Sequence, residues 1–190
     1  MHHEPRRETF ISVDIEASGP TPGTGSMISI GACLVADPDV SFYREIHPQP
    51  GIAWDVDTER IHGLTREALA ASGVAPVAAM EAMADWLHVV APDHRPVFVG
   101  FNASFDWMFV ADYFHRFLGR NPFGISALDL KTLYMGRDHV TSWAETRHEL
   151  ILERYPVVRR SDHNALADAQ AQAELAQKLL GFGPNDGAGR

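Results

Sequence analysis

The stretch PVFVGFNASFDWMFVADYFHRFL, residues 96–118, decides the fold class of this chain. It opens with the short, continuous apolar run PVFVGF, which is typical of a strand buried on both faces of a sheet. Residues 103–118 follow directly with a helical composition. Because a buried strand that leads into a helix indicates a parallel crossover connection, we expect an α/β fold.

Three more strands are predicted nearer the N-terminus. Residues 9–15, 27–35 and 41–46 are apolar or β-branched runs that are separated by Gly, Pro, Ser and Asp. This pattern is typical of an antiparallel meander of three strands. Together with the crossover it predicts a mixed β-sheet that is flanked by helices.

Periodicity places the remaining elements. Apolar residues recur every three or four positions from Pro76 to Val90 and again over 165–180, and each series predicts a helix with one buried face. Residues 126–130 form a weaker strand candidate, and residues 140–154 are predicted to be helical. Asp129 is assigned to capping the helix that follows it.

Length and composition predict one folded domain. The chain has 190 residues, of which 45% are hydrophobic and 22% are charged. We expect a single domain over residues 9–182, an N-terminal extension over 1–8 and a frayed tail over 183–190. No apolar run is long enough to cross a membrane, and the first ten residues lack the apolar core of a secretory signal. With Cys33 as the one cysteine, these features predict a cytoplasmic protein without a membrane partner.

The charge balance constrains the kind of partner. The chain carries 25 acidic and 16 basic residues, and the difference gives a formal net charge of −9. Tight, non-specific binding to duplex nucleic acid depends on Lys and Arg that neutralise phosphates. If nucleic acid is the partner, a feature other than bulk charge must hold it.

Two carboxylates stand at the end of the first predicted strand. Asp14 and Glu16 are two positions apart, so their side chains point to the same face of the sheet. A pair of ionised carboxylates beside a core is costly unless a metal ion or a basic group compensates the charge. A solvated pair at a strand end remains the alternative interpretation.

Two further polar residues follow the buried strand at 96–101. Asn102 and Asp106 lie where a strand turns into a helix, which is where ligand crevices open in α/β sheets. Asn102 alternatively caps the helix, and Asp106 alternatively suits its positive first turn. The capping alternative does not explain why Asp106 stands between the apolar residues Phe105 and Trp107.

A third pair precedes and opens the last helix. His163 and Asp168 are five residues apart, and at about 100° per residue two helical side chains at this spacing would point about 140° apart. They converge only if His163 belongs to the loop before the helix and Asp168 lies inside it. A lone surface histidine is the alternative, since the chain has 10 histidines.

These three segments together form a recognisable pattern. DIE at Asp14–Glu16, NASFD at Asn102–Asp106 and HNALADA at His163–Ala169 occur in the order of the three exonuclease motifs of the DEDDh family. The chain resembles these 3′-to-5′ exonucleases, which include ribonuclease T, oligoribonuclease and the proofreading subunit of bacterial replicative DNA polymerase. The segment RIHGLTREAL, residues 60–69, is similar to one that these enzymes carry before the first long helix. The resemblance implies a ribonuclease H-like mixed sheet.

The resemblance also implies a chemistry. It implies that Asp14, Glu16, Asp106 and Asp168 are catalytic metal ligands for two divalent ions, Mg²⁺ or Mn²⁺, which suit a set of oxygen donors. It assigns His163 as the general base that accepts the proton of the attacking water. Water would then release a nucleoside 5′-monophosphate from a single-stranded DNA or RNA 3′ end, or from a short oligonucleotide.

The contacts to substrate are less clearly indicated. The candidates for binding the terminal nucleotide are Ala17, Ser18, His62, Asn102 and Phe105. Many relatives carry two threonines and a glycine after the glutamate, whereas this chain has Ala17, Ser18 and Gly19. The sequence does not distinguish DNA from RNA, nor a monomer from the homodimer that several relatives form. Two other functions stay open: a binding module for strand ends or a polymerase with little activity of its own, and a hydrolase of small phosphoesters.

Overall fold

A five-stranded mixed sheet lies at the centre of the molecule. The computed structural model describes residues 7–52, 54–160 and 162–182, so most of the predicted N-terminal extension and the whole predicted tail lie outside the described residues. The strands are β1 (Glu8–Ala17), β2 (Met27–Leu34), β3 (Ser41–Glu45), β4 (Arg95–Gly100) and β5 (Ala127–Asp129). The helices are α1 (Val56–His62), α2 (Arg66–Ser72), α3 (Pro76–Val90), α4 (Ser104–Leu118), α5 (Leu130–Asp138), α6 (His148–Arg154) and α7 (Ala165–Leu180).

The strand order across the sheet is β3-β2-β1-β4-β5. The first three strands form an antiparallel meander, and β4 and β5 run parallel to β1. Strand β1 is therefore central, with the meander on one side and the parallel strands on the other. The predicted α/β mixed sheet is confirmed.

Alternation along β1 divides the interior into two cores. Ile11, Val13 and Ile15 are buried in the core beneath α3 and α4. The opposite face packs against α5, α6 and α7 through a second cluster that includes Cys33 and Val99. Because side chains alternate along a strand, the even-numbered residues of β1 face α7.

One predicted helix is wrong, and one alternative interpretation is excluded. Residues 140–154 are not one helix but a 3₁₀ turn, Trp143–Thr146, followed by α6. Arg147 separates them with an extended backbone (φ −63°, ψ 144°), and the buried Thr146 hydroxyl closes the turn by donating to the Trp143 carbonyl at 2.7 Å. Asn102 does not cap α4, because its own φ is 57° and the N-cap is Ala103.

The predicted capping role of Asp129 is confirmed. The Asp129 carboxylate accepts from the backbone N–H of Thr132 at 3.1 Å and so caps α5. Its other oxygen accepts from the N–H of Ala103 at 3.1 Å, which joins the starts of α4 and α5. Both helices therefore begin at the same end of the parallel strands, where the polar motifs lie.

Candidate active site

The α7 face of strand β1 carries the first two predicted ligands. Ser12, Asp14 and Glu16 all point to this face, opposite the apolar residues of the other core. The Ser12 hydroxyl donates to the carbonyl of Ala169 on α7 at 2.7 Å. Asp14 and Glu16, the next two residues on that face, therefore lie beside the first turns of α7.

Close packing on β2 fixes the position of α7. A Cβ atom on Gly31 would lie 2.3 Å from backbone atoms of Ala165 and Leu166, so only glycine lets the helix start approach the strand this closely. As a result Asp168, in the first turn of α7, faces Asp14 and Glu16. One carboxylate oxygen of each of these three residues lies within 4.8 Å of the other two.

Asp106 lies beside this cluster of three carboxylates. It enters from the first turn of α4, is 4% exposed, and accepts the backbone N–H of Ile15 at 3.1 Å. Burial, with a further contribution from the charge of Asp168, raises its pKa from 3.8 to about 7. Asp106 is thus close enough to interact with the cluster electrostatically, but it is not one of the three converging side chains.

The site concentrates negative charge in a partly buried space. Burial raises the pKa of Glu16 from 4.5 to about 8, and the charges of Asp168 and Asp106 add to this. Burial and the same neighbours also raise the pKa of Asp14. Carboxylates in this situation are stabilised in their ionised form by a cation, and a set of oxygen donors suits Mg²⁺ or Mn²⁺. The residues present therefore fit a divalent metal site.

His163 comes from the loop before α7, as its spacing from Asp168 predicts. It is exposed and has a φ of 60°, whereas Asn164 is extended and caps α7 by accepting from the N–H groups of Leu166 and Ala167. The N–H of Asp162 donates to the carboxylate of Asp168 at 3.0 Å. This bond holds the histidine loop against one of the candidate ligands.

His62 approaches the same region from the end of α1. Its Nδ1 accepts from the N–H of Leu64 at 3.1 Å, and its ring is 6.4 Å from that of Trp54 in an edge-on arrangement. Burial lowers the pKa of His62, Glu59 opposes this, and the charge of His163 contributes to the lowering. The two histidines are therefore close enough to influence each other.

The other predicted substrate contacts differ in burial and in their partners. Ala17 and Ser18 are buried at the end of β1, and the Ser18 hydroxyl accepts from the N–H of Ser26 at 2.9 Å. Phe105 is half-buried, with its ring 5.4 Å from that of Phe109. Asn102 is exposed just before α4.

Two residues at the site were not predicted from the sequence, and the first is Gln172. Its Nε2 donates to Oδ1 of Asp14, and its Oε1 accepts from the N–H of Phe101 at 2.9 Å. Gln172 lies four residues after Asp168, so the two share a face of α7. From this spacing alone, Gln172 could have been predicted to lie beside Asp168.

The second missed residue is His148, the first residue of α6. With Asp14, Phe101, Asp168, Ala171 and Gln172, it lines a cavity of about 160 Å³. Its ring meets that of Phe101 edge-on at 5.0 Å. No spacing relates His148 to the three motifs, so the sequence contains no signal that separates it from the other histidines.

Solved structures share this fold. The nuclease domain of 3′hExo, a DEDDh family member bound to rAMP, matches with a TM-score of 0.75 at 15% identity over 92% of both chains. The zinc ion bound form of the Escherichia coli exonuclease I complex with single-stranded DNA matches with a TM-score of 0.71 at 20% identity, over 95% of this chain and 42% of that one. The fold is that of the DEDDh nucleases.

Sequence comparison identifies the family. The 3′-5′ exoribonuclease Rv2179c-like domain matches residues 9–180. The 3′-5′ DNA exonuclease Cap18 of Escherichia coli is 46% identical over 172 residues, which cover 89% of this chain and 90% of that protein. The chain belongs to this family of 3′-5′ exonucleases. Among the described residues, no helix is both long and apolar enough to cross a membrane.

Proposed function

We propose that this protein removes nucleotides one at a time from single-stranded 3′ ends and releases nucleoside 5′-monophosphates. The observation that carries the proposal is the convergence of Asp14, Glu16 and Asp168 beneath the loop that presents His163. The proposed exonuclease domain spans residues 9–182.

The carboxylates are proposed to hold two divalent ions. Asp14 would contact both, Glu16 and Asp168 would complete the surroundings of one, and Asp106 would hold the other directly or through water. When bound, such ions supply positive charge that activates water and stabilises the leaving oxygen. They would also favour the ionised form of Glu16 and Asp106, whose pKa values are raised by burial first and by neighbouring negative charge second.

His163 is proposed to take the proton from the attacking water. Imidazole is the side chain best suited to exchange a proton near neutral pH, and a loop position lets it approach the phosphate without moving α7. Its neighbour His62 is proposed to contact the terminal nucleotide together with Ala17, Ser18, Asn102 and Phe105. The electrostatic interaction between the two histidines supports this placement of His62.

We favour DNA as the substrate over RNA. The 46% identical relative is named as a DNA exonuclease, whereas the matching family is described as exoribonuclease-like. The relative and the family model cover nearly the same length of the chain, but the relative is one protein at 46% identity, so its name is the stronger support.

A product time course tests the proposal. Matched 5′-labelled DNA and RNA oligomers should be shortened in single-nucleotide steps, faster for DNA, only while Mg²⁺ or Mn²⁺ is present. D14N should reduce hydrolysis to background with an unchanged circular dichroism spectrum, whereas D85N, an exposed acid on α3, should behave like the wild type.

Three results would overturn the proposal. Binding of the labelled strand without shortening would favour a binding module. Hydrolysis of a mononucleotide ester but of no oligomer would favour a small-phosphoester hydrolase. Full turnover by D14N, or activity that resists chelation, would contradict the assignment of the carboxylates.

A further inference from the structure

We propose that Phe101, Lys131, Trp143 and His148 form a subsite for the nucleotide on the 5′ side of the cleaved bond. We call these four residues the strand shelf. The inference rests on the proposed function, because it extends that site along the substrate.

The four side chains form a continuous row that starts at the carboxylates. His148 and Phe101 line the cavity that Asp14 and Asp168 also line. The Lys131 ammonium lies 5.9 Å from the centroid of the Phe101 ring and 4.2 Å from that of the Trp143 ring. The row therefore leads from the reacting centre to an exposed aromatic ring.

The chemistry of the row suits a nucleotide. Trp143 is 54% exposed, although a ring of this size is ordinarily buried, and it is the one tryptophan among the exposed large apolar residues of the described chain. An exposed indole can stack a base whatever its sequence. Within the described residues Lys131 forms no ion pair with a carboxylate, so its charge is available to a phosphate.

Other charges lie on the same segment. Glu145 and Glu149 are exposed, and Arg147, also exposed, stands between them and directly before His148. The charges of Glu145, Arg147, Glu149 and Lys131 therefore sum to zero, so the outer part of the shelf is not acidic, although Asp14 and Asp168 lie at its inner end. Such a surface can accept one phosphate near Lys131 without the long basic track that duplex binding needs.

The sheet order gives the direction of the strand. Ala17 and Ser18, proposed to contact the terminal nucleotide, lead from β1 into the connection to β2. Phe101 follows β4 and Lys131 lies in α5 directly after β5, on the other side of β1. Asn102 and Phe105, the proposed terminal contacts beyond β4, lie at or just before the start of α4: Phe105 packs on the core beneath α3 and α4, whereas Phe101 packs on the core against α5, α6 and α7. Because the cleaved phosphate must sit at the carboxylates, a DNA strand whose last nucleotide lies between the β1–β2 connection and α4 extends over the opposite face of the sheet, where the shelf lies.

Two substrates separate the shelf from the chemistry. One is a short single-stranded DNA, and the other is the p-nitrophenyl ester of thymidine 5′-monophosphate, which has a cleavable phosphodiester but no nucleotide on its 5′ side. The quantity to compare is kcat/KM for the strand divided by kcat/KM for the ester. We expect W143A to lower this ratio roughly 5- to 100-fold, mainly through KM for the strand. K131A should also lower this ratio, whereas W143F should retain most of the wild-type ratio.

A matched lysine provides the control. Lys178 is exposed near the C-terminal end of α7, about 15 Å along the helix from Asp168, so K178A should leave the ratio unchanged. Circular dichroism checks that each variant folds, and K131A tests the shelf without altering the indole. Unchanged ratios for W143A and K131A would overturn the shelf while leaving the exonuclease proposal intact. A wild type that cleaves neither substrate would instead overturn the exonuclease proposal.

Discussion

His163 has a left-handed backbone conformation, with a φ of 60°, which residues other than glycine seldom adopt, although asparagine, aspartate and histidine do so more often than the rest. A substitution there must preserve the loop as well as remove the imidazole. Asparagine tolerates this conformation, so H163N removes the proposed base with little strain. We expect hydrolysis to slow by roughly 10² to 10⁴ while the melting temperature stays close to that of the wild type.

The chain offers a matched control for this substitution. His139 is exposed at the end of α5 with a φ of 55°, and no described contact links it to the carboxylates. H139N should therefore hydrolyse the strand at the wild-type rate. If H163N did so as well, His163 could not be the general base.

Gln172 is expected to set the orientation of Asp14. Q172M keeps the approximate volume of the side chain but removes both hydrogen bonds, to Asp14 and to the N–H of Phe101. Loss of such a bond to a metal ligand typically costs 10- to 100-fold in metal affinity or activity, so the Mg²⁺ concentration for half-maximal activity should rise by about that factor. The unpaired N–H of Phe101 should also lower the free energy of unfolding by about 1–3 kcal/mol.

Calorimetric titration with Mn²⁺ provides a second measurement for Gln172 that does not depend on turnover. Gln177 on the same helix donates to the Val35 carbonyl at 2.6 Å, away from the site, so Q177M controls for the loss of a glutamine hydrogen bond. Equal Mn²⁺ affinity in Q172M and Q177M would contradict the positioning role.

Individual site residues differ in how far the sequence could predict them. Asp14, Glu16 and Asp168 could be proposed because strand alternation and helix periodicity each place them relative to a neighbour, and the structure brings them together. His148 could not be predicted, because its place depends on where the 3₁₀ turn delivers α6. The hydrogen bond from the Thr146 hydroxyl that closes the turn is local, but the complete burial of Thr146 depends on the rest of the fold and is not encoded by a local pattern.

At the scale of elements, the contact between β2 and α7 leaves no space for a side chain at Gly31. In G31A the new Cβ would overlap the backbone of Ala165, so the helix must shift and carry Asp168 away from Asp14. We expect a loss of about 1–3 kcal/mol in the free energy of unfolding, together with a large loss of activity. Urea unfolding and the hydrolysis assay measure the two effects separately.

A second glycine serves as a control, because alanine there changes the backbone preference without creating a steric clash. Gly136 lies within α5, and a Cβ there would meet nothing within 4 Å. G136A should therefore be stabilised by about 0.5–1 kcal/mol without a change in rate. Wild-type activity in G31A would show that the placement of Asp168 does not depend on this contact.

Elements with a continuous apolar stripe and clear ends were predictable. Helix α7 matches the predicted residues 165–180, because Asn164 caps its start and Gly181, with a φ of 74°, ends it. Helices α1 and α2 were not predicted, since α1 buries no residue and α2 buries only Leu69. Their positions follow from contacts with the rest of the fold and not from their own periodicity.

For the whole molecule, the raised carboxyl pKa values predict how stability depends on pH. Glu16 and Asp106 hold protons in the folded state up to about pH 8 and pH 7, whereas they ionise near pH 4.5 and 3.8 when exposed. Between these limits the folded state binds more protons than the unfolded state, so stability falls as pH rises. We expect the melting temperature of the metal-free protein to fall by several degrees from pH 4.5 to pH 8.

Divalent ions should reverse this trend. Because they bind ionised carboxylates, Mg²⁺ or Mn²⁺ should raise the melting temperature more at pH 8 than at pH 5. E16Q removes one of the buried carboxyl groups with a raised pKa and should therefore make the melting temperature in chelator depend less on pH. A metal-free melting temperature that is constant or rises over this range would contradict the burial of these carboxylates.

One contact of Asp106 decides where an inactive variant is best made. The last residue pair between β1 and β4 is Ser12 opposite Val99, and β1 continues beyond it. Past this pair, the Asp106 carboxylate, and not a residue of β4, accepts the N–H of Ile15. Removing that carboxylate would leave the buried N–H of Ile15 without an acceptor. A loss of activity could then come from a destabilised sheet as well as from the missing carboxylate. An inactive variant for structural studies of the bound DNA strand is better made by substituting Asp14. Among the described contacts, the Asp14 side chain forms no hydrogen bond with a backbone group.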